Sequence, residues 1–315
     1  MTSEIFGDEI MDAINRSVSR QVAMGVPAVS KARNLLVSTV AKFPLVAVNR
    51  EGLLTAQPTW FYRTDSDVTP YERMAWTVDD LIFYGNCLWL RKNGVEQDGR
   101  KPILDAYYVP RRDWTITDGN ILVQEQPVAD DEIIFINSPF EGLLNIASRT
   151  IRGARDQENA WVARTRNPIP LIELHQTDDS LEAEEVPAFV QAWADARMSD
   201  NGAVGYTPPG LEIRVHGTAV TDLMIEGRNA SRTDIGSFLN VRASMLDGTI
   251  GIDSLTYTTT EGERNAFYEF DLPFWTDPIA ARLSMDDIVP RGTAVRFDMY
   301  SAFNPPTATG PNPED

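Results

Sequence analysis

The chain has 315 residues, of which 43% are hydrophobic and 23% are charged, and its formal net charge is -18. This length suffices for two or three packed regions, and no stretch approaches the roughly 18 consecutive apolar residues of a membrane helix. The acidic balance argues against binding nucleic acid by neutralising phosphates. An acidic channel would instead keep a sliding polymer from adhering; the alternative is that the charge serves only solubility. The single cysteine, Cys87, excludes an internal disulfide and a cysteine-based zinc site.

Two amphipathic helices are predicted in the first third of the chain. Apolar residues recur at helical spacing from Ala28 to Phe43, between two prolines that open and close the helix. A second helix is predicted to begin at Thr69, which has capping-box spacing to Glu72, and to end at the turn Tyr84-Gly85-Asn86.

Short strands are predicted next, and we expect them to form an antiparallel sheet. Their apolar or aromatic cores are Leu88–Arg91, Ala106–Val109, Trp114–Thr117, Ile121–Val123 and Ile133–Ile136. Two dipeptides, Asn93-Gly94 and Asp118-Gly119, are typical of hairpin turns because both tolerate positive φ. Cys87 lies at the start of this region and is predicted to pack in the core.

Two long helices are then predicted to bracket a small insert. The first should begin at Ser138, where Glu141 is placed to complete a capping box, and end at Asn167; the second should run from about Asp222 to Leu246. The insert is predicted as a strand, a helix and a strand, at Ile169–His175, Val186–Met198 and Leu211–Val215. The last predicted elements are a short helix at Ile279–Ile288, a strand at Ala294–Met299 and a disordered tail from Asn304 to Asp315.

Three fragments in this order resemble the portal protein family of long-tailed, double-stranded DNA phages. The first is Val29 to Leu36 running into Phe43-Pro44-Leu45, and the second is the helix end Leu81 to Asn86. The third is Glu132 to Ile136 followed by Gly142-Leu143-Leu144, which is similar to the start of the family's first stem helix.

The resemblance implies an α+β portal fold, with a mixed α/β wing, a stem of two helices, a small α/β clip insert and a minimal or absent crown. On this sequence the regions would be an N-terminal arm 1–28, wing 29–137, stem helix 138–166, clip 167–221, second stem helix 222–247, tunnel loop with the rest of the wing 248–303, and disordered tail 304–315.

The resemblance also implies a function without catalysis or cofactors. Twelve copies would form a ring at one capsid vertex, as the channel for genome packaging and ejection. The expected partners are the terminase large subunit, a head–tail connector or adaptor, the major capsid protein, and double-stranded DNA that passes through without sequence specificity. No membrane partner is expected. The protein would reside in the virion, and in the host cytoplasm during assembly.

Three groups of residues are candidates for contacts with DNA, with partner proteins or between subunits. The tunnel-loop candidates are Thr256, Thr258, Thr259, Thr260 and Glu261, short polar side chains that suit a sliding surface but are also typical of an edge strand. The clip docking candidates are Asp178, Asp179, Glu182, Glu184 and Glu185. The stem candidates are Arg149, Arg152 and Arg155, which would contact DNA or a neighbouring subunit, or else pair with acids such as Asp156 and Glu158 or those of the next protomer.

The sequence offers few of the convergent reactive groups that an enzyme needs. The sequence has neither a phosphate-binding loop nor a Gly-x-Ser-x-Gly elbow. His175 and His216 lack metalloprotease spacing, and the acids Asp130-Asp131-Glu132 are more typical of solvated turns than of a metal or acid/base site. Two alternatives stay open: another head–tail or baseplate structural protein, and a carboxylate-based hydrolase acting on cell-wall sugar.

Overall fold

A computed structural model of the chain describes residues 18–96, 100–166, 171–177, 185–197, 211–216, 225–246 and 265–299. The described residues form two compact units. The larger unit contains those up to Arg155 and those from Arg228 onward, and the smaller unit contains those from Asp156 to Gly227.

The larger unit begins with helices α1 to α4 and strands β1 and β2. They are α1 (Arg20–Met24), α2 (Pro27–Ala41), β1 (Leu45–Asn49), β2 (Gly52–Leu53), α3 (Thr59–Tyr62) and α4 (Pro70–Tyr84). Both predicted helices are confirmed. The Thr69–Glu72 capping box starts α4, and Gly85 ends it in the left-handed conformation with φ 77°.

Six strands follow, and they form two sheets rather than the single predicted one. They are β3 (Asn86–Asn93), β4 (Ile103–Val109), β5 (Trp114–Thr117), β6 (Asn120–Val123), β7 (Gln126–Pro127) and β8 (Ile133–Asn137). One sheet has the order β4-β3-β8 and the other β5-β6-β7. Buried Trp114 of the second sheet packs with Leu88, Val109 and Ile133 of the first in a small core apart from the main one.

The two predicted hairpin turns have different outcomes. Asp118 and Gly119 have φ of 50° and 80° and join β5 to β6 as predicted. The prediction at Asn93-Gly94 is wrong. Asn93 is still paired with Ile103, and its side chain accepts a 2.7 Å hydrogen bond from Arg91, so it remains in β3. The strands are therefore joined by a longer connection, closed where the N–H of Gly94 donates to the carbonyl of Pro102.

The main core lies between α2, α4 and the sheet of β3. One stripe of α2, containing Val29, Ala32 and Leu36, packs with Val78 and Ile82 of α4. Cys87 is fully buried in the same core, which confirms its predicted position, and burial raises the pKa of its thiol.

The first long helix begins later than predicted. The hydroxyl of Ser138 accepts the N–H of Phe140 at 3.1 Å, and its own N–H donates to the carbonyl of Gly85. These bonds hold the chain across the end of α4 instead of starting a helix. A short helix α5 (Leu143–Ile146) comes first, and α6 (Ser148–Arg166) follows after a break at Ala147.

The second long helix is also interrupted. Within the predicted range, α8 (Ile225–Phe238) ends where Asn240 adopts φ 51°, and α9 (Ala243–Leu246) follows. The carbonyl of Leu239 accepts the indole N–H of Trp275, and the Asn240 amide donates to the carbonyl of Asp271. Tertiary hydrogen bonds thus replace the next helical turn. The predicted first residues, 222–224, lie outside the described residues.

The chain then returns through helix and strand. A π-helical turn at Phe267–Asp271 leads into α10 (Pro273–Leu283), which begins and ends earlier than the predicted helix. The strand predicted at Ala294–Met299 is confirmed as β11 (Ala294–Phe297), which pairs antiparallel with β1. The predicted tail from Asn304 lies outside the described residues.

The smaller unit contains the predicted strand, helix and strand. They are β9 (Leu171–Gln176), α7 (Val186–Arg197) and β10 (Leu211–His216). The two strands pair antiparallel, with Leu211 opposite Gln176 and His216 opposite Leu171. These elements confirm the predicted insert, while its assignment as a clip stays a prediction.

Candidate functional site

The three stem arginines lie on the first two turns of α6. Arg149 and Arg155 are exposed and Arg152 is half-buried, whereas Ile151 of the same helix is fully buried. Their spacing of three residues places them on neighbouring turns of one face. The structure thus brings them together on an accessible surface, and their contacts with DNA, acids or another subunit stay predictions.

Most of the other predicted site residues lie outside the described residues. This holds for the tunnel-loop candidates Thr256, Thr258, Thr259, Thr260 and Glu261, and for the clip acids Asp178, Asp179, Glu182 and Glu184. Glu185 is described and exposed, and its carbonyl accepts the N–H of Ala188 at the start of α7.

Two of the residues considered for metal or acid/base chemistry have an acidic or basic neighbour within 4 Å. Nδ1 of His175 lies 3.7 Å from Oε1 of Glu173, and Asp131 forms a 2.6 Å ion pair with Lys101. Among the described residues, no group of three or more His, Cys, Asp or Glu could hold a metal ion. In the same part of the chain, no helix is long and apolar enough to cross a membrane.

Asp79 connects the first two helices to α4. Its carboxylate accepts two hydrogen bonds from Arg20 of α1, at 2.8 and 2.9 Å, and one of 2.6 Å from Arg33 of α2. The two parallel hydrogen bonds fix the orientation of the Arg20 guanidinium relative to the carboxylate, in addition to pairing their charges. This cluster was not predicted from the sequence, in which its signal is an acidic pair beside the apolar stripe of α4.

Asp80, the next residue, is 3% exposed and lies in a different environment. Burial raises the pKa of its carboxyl to about 7, and the charge of Asp79 acts in the same direction. The hydrogen bond from the Tyr108 hydroxyl and the charges of Arg111 and Arg20 oppose this shift. The two adjacent acids of α4 therefore differ, because Asp79 forms ion pairs with two arginines, whereas Asp80 accepts a hydrogen bond from a tyrosine hydroxyl.

An apolar groove of about 720 Å³ lies at the start of the first long helical region. It is bounded by the segment after β8, by the break at Asn240 and by α10. Phe140 stacks on Phe274 with ring centroids 3.7 Å apart, while Phe270 and Met285 are 63% and 54% exposed. An exposed apolar surface of this kind is typical of an interaction site. The groove was not predicted from the sequence, because three segments that are distant in the chain contribute to it.

Comparison with solved structures identifies the class of protein. The chain matches a crystal structure of an HK97 family phage portal protein from Corynebacterium diphtheriae, with 29% identity and a TM-score of 0.75. The match covers 91% of this chain and 96% of that one. The virion of a native gene transfer agent particle and its neck, determined with C12 symmetry, contain the same fold, each with 14% identity and a TM-score of 0.60. These matches cover 91% and 89% of this chain and 86% and 82% of those chains.

The sequence itself gives the family. The family described as phage portal protein matches residues 27–308, and the chain therefore belongs to the phage portal protein family. The α+β fold and the resemblance seen in the sequence are confirmed. A search of curated protein sequences found no match.

Proposed function

We propose that this protein is the ring subunit at one capsid vertex, through which double-stranded DNA enters during packaging and leaves during ejection. The observation that carries the proposal is the family match over residues 27–308, together with the HK97 family portal structure that aligns along 91% of the chain. Chains of this family are structural components of virions, and we propose a structural role here too, without catalysis.

We propose a ring of twelve copies. Support comes from the neck of the gene transfer agent particle, which has the same fold and was determined with C12 symmetry. A ring is the closed form of a head-to-tail contact repeated by rotation. The net charge of -18 on each chain suits a channel that must not hold DNA tightly.

The partners are proposed from the division of the chain. The smaller unit, Asp156 to Gly227, includes the predicted clip and would present its acidic segment to the terminase large subunit during packaging and to the head–tail connector afterwards. The wing, within the larger unit, would contact the major capsid protein. The protein would act in the host cytoplasm during assembly and in the virion afterwards.

Particle mass tests this function. The purified protein should form rings of about 420 kDa, twelve times the 35.1 kDa chain, with a central hole visible by negative-stain microscopy. Mass photometry across a range of protein and salt concentrations would give the subunit number. A protein that stays monomeric under all these conditions would contradict the proposal.

A second experiment tests the tunnel-loop candidates. Phage particles carrying a deletion of Thr258 to Glu261 should package DNA but retain less of it, because the loop would restrain backward sliding. The matched control removes four residues from the proline-rich tail, Pro311 to Glu314, and should retain DNA normally. Equal retention in both variants would reject the role of these threonines.

A further inference from the structure

We infer that the segment after Met299, which contains Pro305 and Pro306, docks on an aromatic depression of the same chain, beside Tyr62 and Tyr71. The depression and the segment both belong to the larger unit. The inference concerns a contact within one chain and does not depend on the proposed ring.

The aromatic depression lies where the end of α2, the start of β1 and the helices α3 and α4 meet. Tyr62 at the end of α3 is 64% exposed and Tyr71 near the start of α4 is 48% exposed, and both line it together with Phe43 and Pro44. Within the described part of the chain, neither tyrosine hydroxyl has a hydrogen-bond partner. Such tyrosines are enriched at interfaces, since each combines a large apolar ring with a polar hydroxyl.

The size of the depression indicates the class of ligand. Its volume is about 160 Å³, below the roughly 300 Å³ at which small-molecule pockets begin. The depression therefore suits one or two side chains of an extended peptide and not a small molecule.

The described chain ends beside this depression. Strand β11 pairs antiparallel with β1, with Phe297 opposite Leu45, and the N–H of Asp298 then donates to the carbonyl of Pro44 at 2.8 Å. Leu45 and Pro44 both line the depression. Pro305 follows seven residues after Asp298, and seven extended residues span up to about 23 Å. The segment can therefore reach across a depression of this volume.

The composition of the segment matches such a surface. From Tyr300 to Pro313 the sequence contains no charged residue, although 23% of the chain is charged. Consecutive prolines favour the polyproline II conformation, in which the backbone carbonyls have no internal hydrogen bonds. Segments of this kind dock in grooves lined by aromatic rings, and tyrosine hydroxyls can donate to their carbonyls. Tyr62 and Tyr71 supply both the rings and the hydroxyls.

Proximity favours docking within one chain over docking on another copy. A short flexible tether gives its ligand an effective concentration of about the millimolar range. The segment of a separate copy has only the concentration of the protein unless an assembly holds it equally near. The prediction of disorder for the tail considered that the tail cannot pack by itself, whereas docking supplies a preformed partner.

Engineered cysteines test the docking. Cys87 is fully buried, so a variant with Arg63→Cys and Asn304→Cys has two reactive thiols per chain and keeps both tyrosines. Arg63 is exposed and directly follows Tyr62. The full-length protein is treated with a short bismaleimide and then with excess N-ethylmaleimide. Intact-mass spectrometry should find chains that carry one bismaleimide and no N-ethylmaleimide, and these chains should run as monomers on denaturing gels.

The matched control joins Asn304→Cys to Thr117→Cys. Thr117 is exposed on β5, and Arg111, three residues before that strand, lies 5.6 Å from the ring of Tyr84 at the end of α4. Tyr71 lies near the start of the same helix, and the helix rises about 20 Å between these two tyrosines. The control should therefore carry separate adducts on its two thiols.

The outcomes separate this inference from the proposed function. Bridged chains that run as monomers support docking within one chain. Covalent dimers or longer ladders would place the segment on a neighbouring copy and overturn the inference. Bridging no more frequent than in the Thr117 control would overturn it as well. Ring formation is measured separately by particle mass, so none of these results changes the conclusion on the ring.

Proline variants give an independent readout in the same crosslinking variant. Pro305→Ala together with Pro306→Ala should lower the bridged fraction about fivefold, because both apolar rings and the preference for polyproline II are lost. The matched control, Thr307→Ala with Thr309→Ala, changes two residues just beyond and should keep the bridged fraction within about twofold. Equal bridging in the two variants would show that the tether alone brings the thiols together, and would overturn the docking.

Discussion

The hydroxyl group of Tyr108 on β4 donates a 2.9 Å hydrogen bond to the carboxylate of Asp80 on α4. The contact joins the central sheet to the helix that carries the main core, and Asp80 is 3% exposed there. Because desolvation penalises the charged form, the folded protein holds the Asp80 proton more tightly than the unfolded chain does.

Asp80 is predicted to make the protein less stable as pH rises. Well below pH 4 the carboxyl is protonated in both the folded and the unfolded state, so it contributes no pH dependence to the free energy of unfolding. Between its ordinary pKa of 3.8 and its folded pKa of about 7, only the unfolded state loses the proton, so the free energy of unfolding falls with pH. Asp80→Asn should remove this slope and be more stable at pH 8 by at most about 4 kcal/mol.

Urea unfolding at pH 4 and pH 8 measures this difference. The neighbouring acid provides the control, since Asp79→Asn leaves Arg20 and Arg33 without their carboxylate and should destabilise the protein at pH 8. If the free energy of unfolding fell equally between pH 4 and pH 8 in the original protein and in Asp80→Asn, Asp80 would not be the source of the pH dependence.

Arg73 is predicted to be much more costly to remove than an exposed arginine such as Arg112. It is 2% exposed, its guanidinium donates to the carbonyls of Ala106 and Trp60, and it lies 3.9 Å from Asp105. Arg73→Ala should cost about 3 to 5 kcal/mol, because it leaves a buried carboxylate and two carbonyls with fewer partners. Arg112, whose side chain is 85% exposed, is the control, and Arg112→Ala should change the unfolding free energy by less than about 0.5 kcal/mol. Similar losses in both variants would show that burial does not set the cost.

Local signals in the sequence predicted the elements well. The capping box at Thr69, the helix end at Gly85 and the turn at Asp118-Gly119 involve residues within a few positions of one another, and all three are present. The alternation of strands and helices in the insert was likewise predictable from local periodicity.

Distant contacts decided the rest. The second long helix breaks because Trp275 and Asp271 take up hydrogen bonds at Leu239 and Asn240, and neither partner is near in sequence. Asn93 stays in β3 for the same reason, since its side chain amide donates to the carbonyl of Asp131. The groove and the Asp79 cluster combine segments that helical spacing and turn propensity cannot connect.

Thr77 is predicted to matter through its hydroxyl group. It is fully buried on α4, accepts a 2.7 Å hydrogen bond from the indole N–H of Trp89, and donates to the carbonyl of Arg73. Thr77→Val keeps the shape but leaves that buried N–H unsatisfied, at a cost of about 1 to 3 kcal/mol.

Thr276 on α10 is the matched control. It is 1% exposed, and its hydroxyl donates to the carbonyl of Leu272, which already accepts the backbone N–H of Thr276. Thr276→Val leaves no buried group unpaired, so its cost in thermal or urea unfolding should be below about 1 kcal/mol. If Thr276→Val cost as much as Thr77→Val, loss of the hydroxyl itself, and not the unpaired indole, would explain both.

Two glycines of the first long helical region are predicted to respond to alanine in opposite directions. A Cβ atom at Gly142 would lie 2.5 Å from the carbonyl carbon of Tyr84 and 2.6 Å from its Cα, and it would also meet the carbonyl oxygen of Phe83. These are backbone atoms at the end of α4, so Gly142→Ala must separate two segments and should cost about 2 kcal/mol or more.

Gly153 lies inside α6 with no atom near its Cβ position, so Gly153→Ala should stabilise the protein by about 0.5 to 1 kcal/mol. Urea unfolding of both variants tests the prediction, and a stable Gly142→Ala protein would show that the chain does not cross α4 as closely as the structure has it.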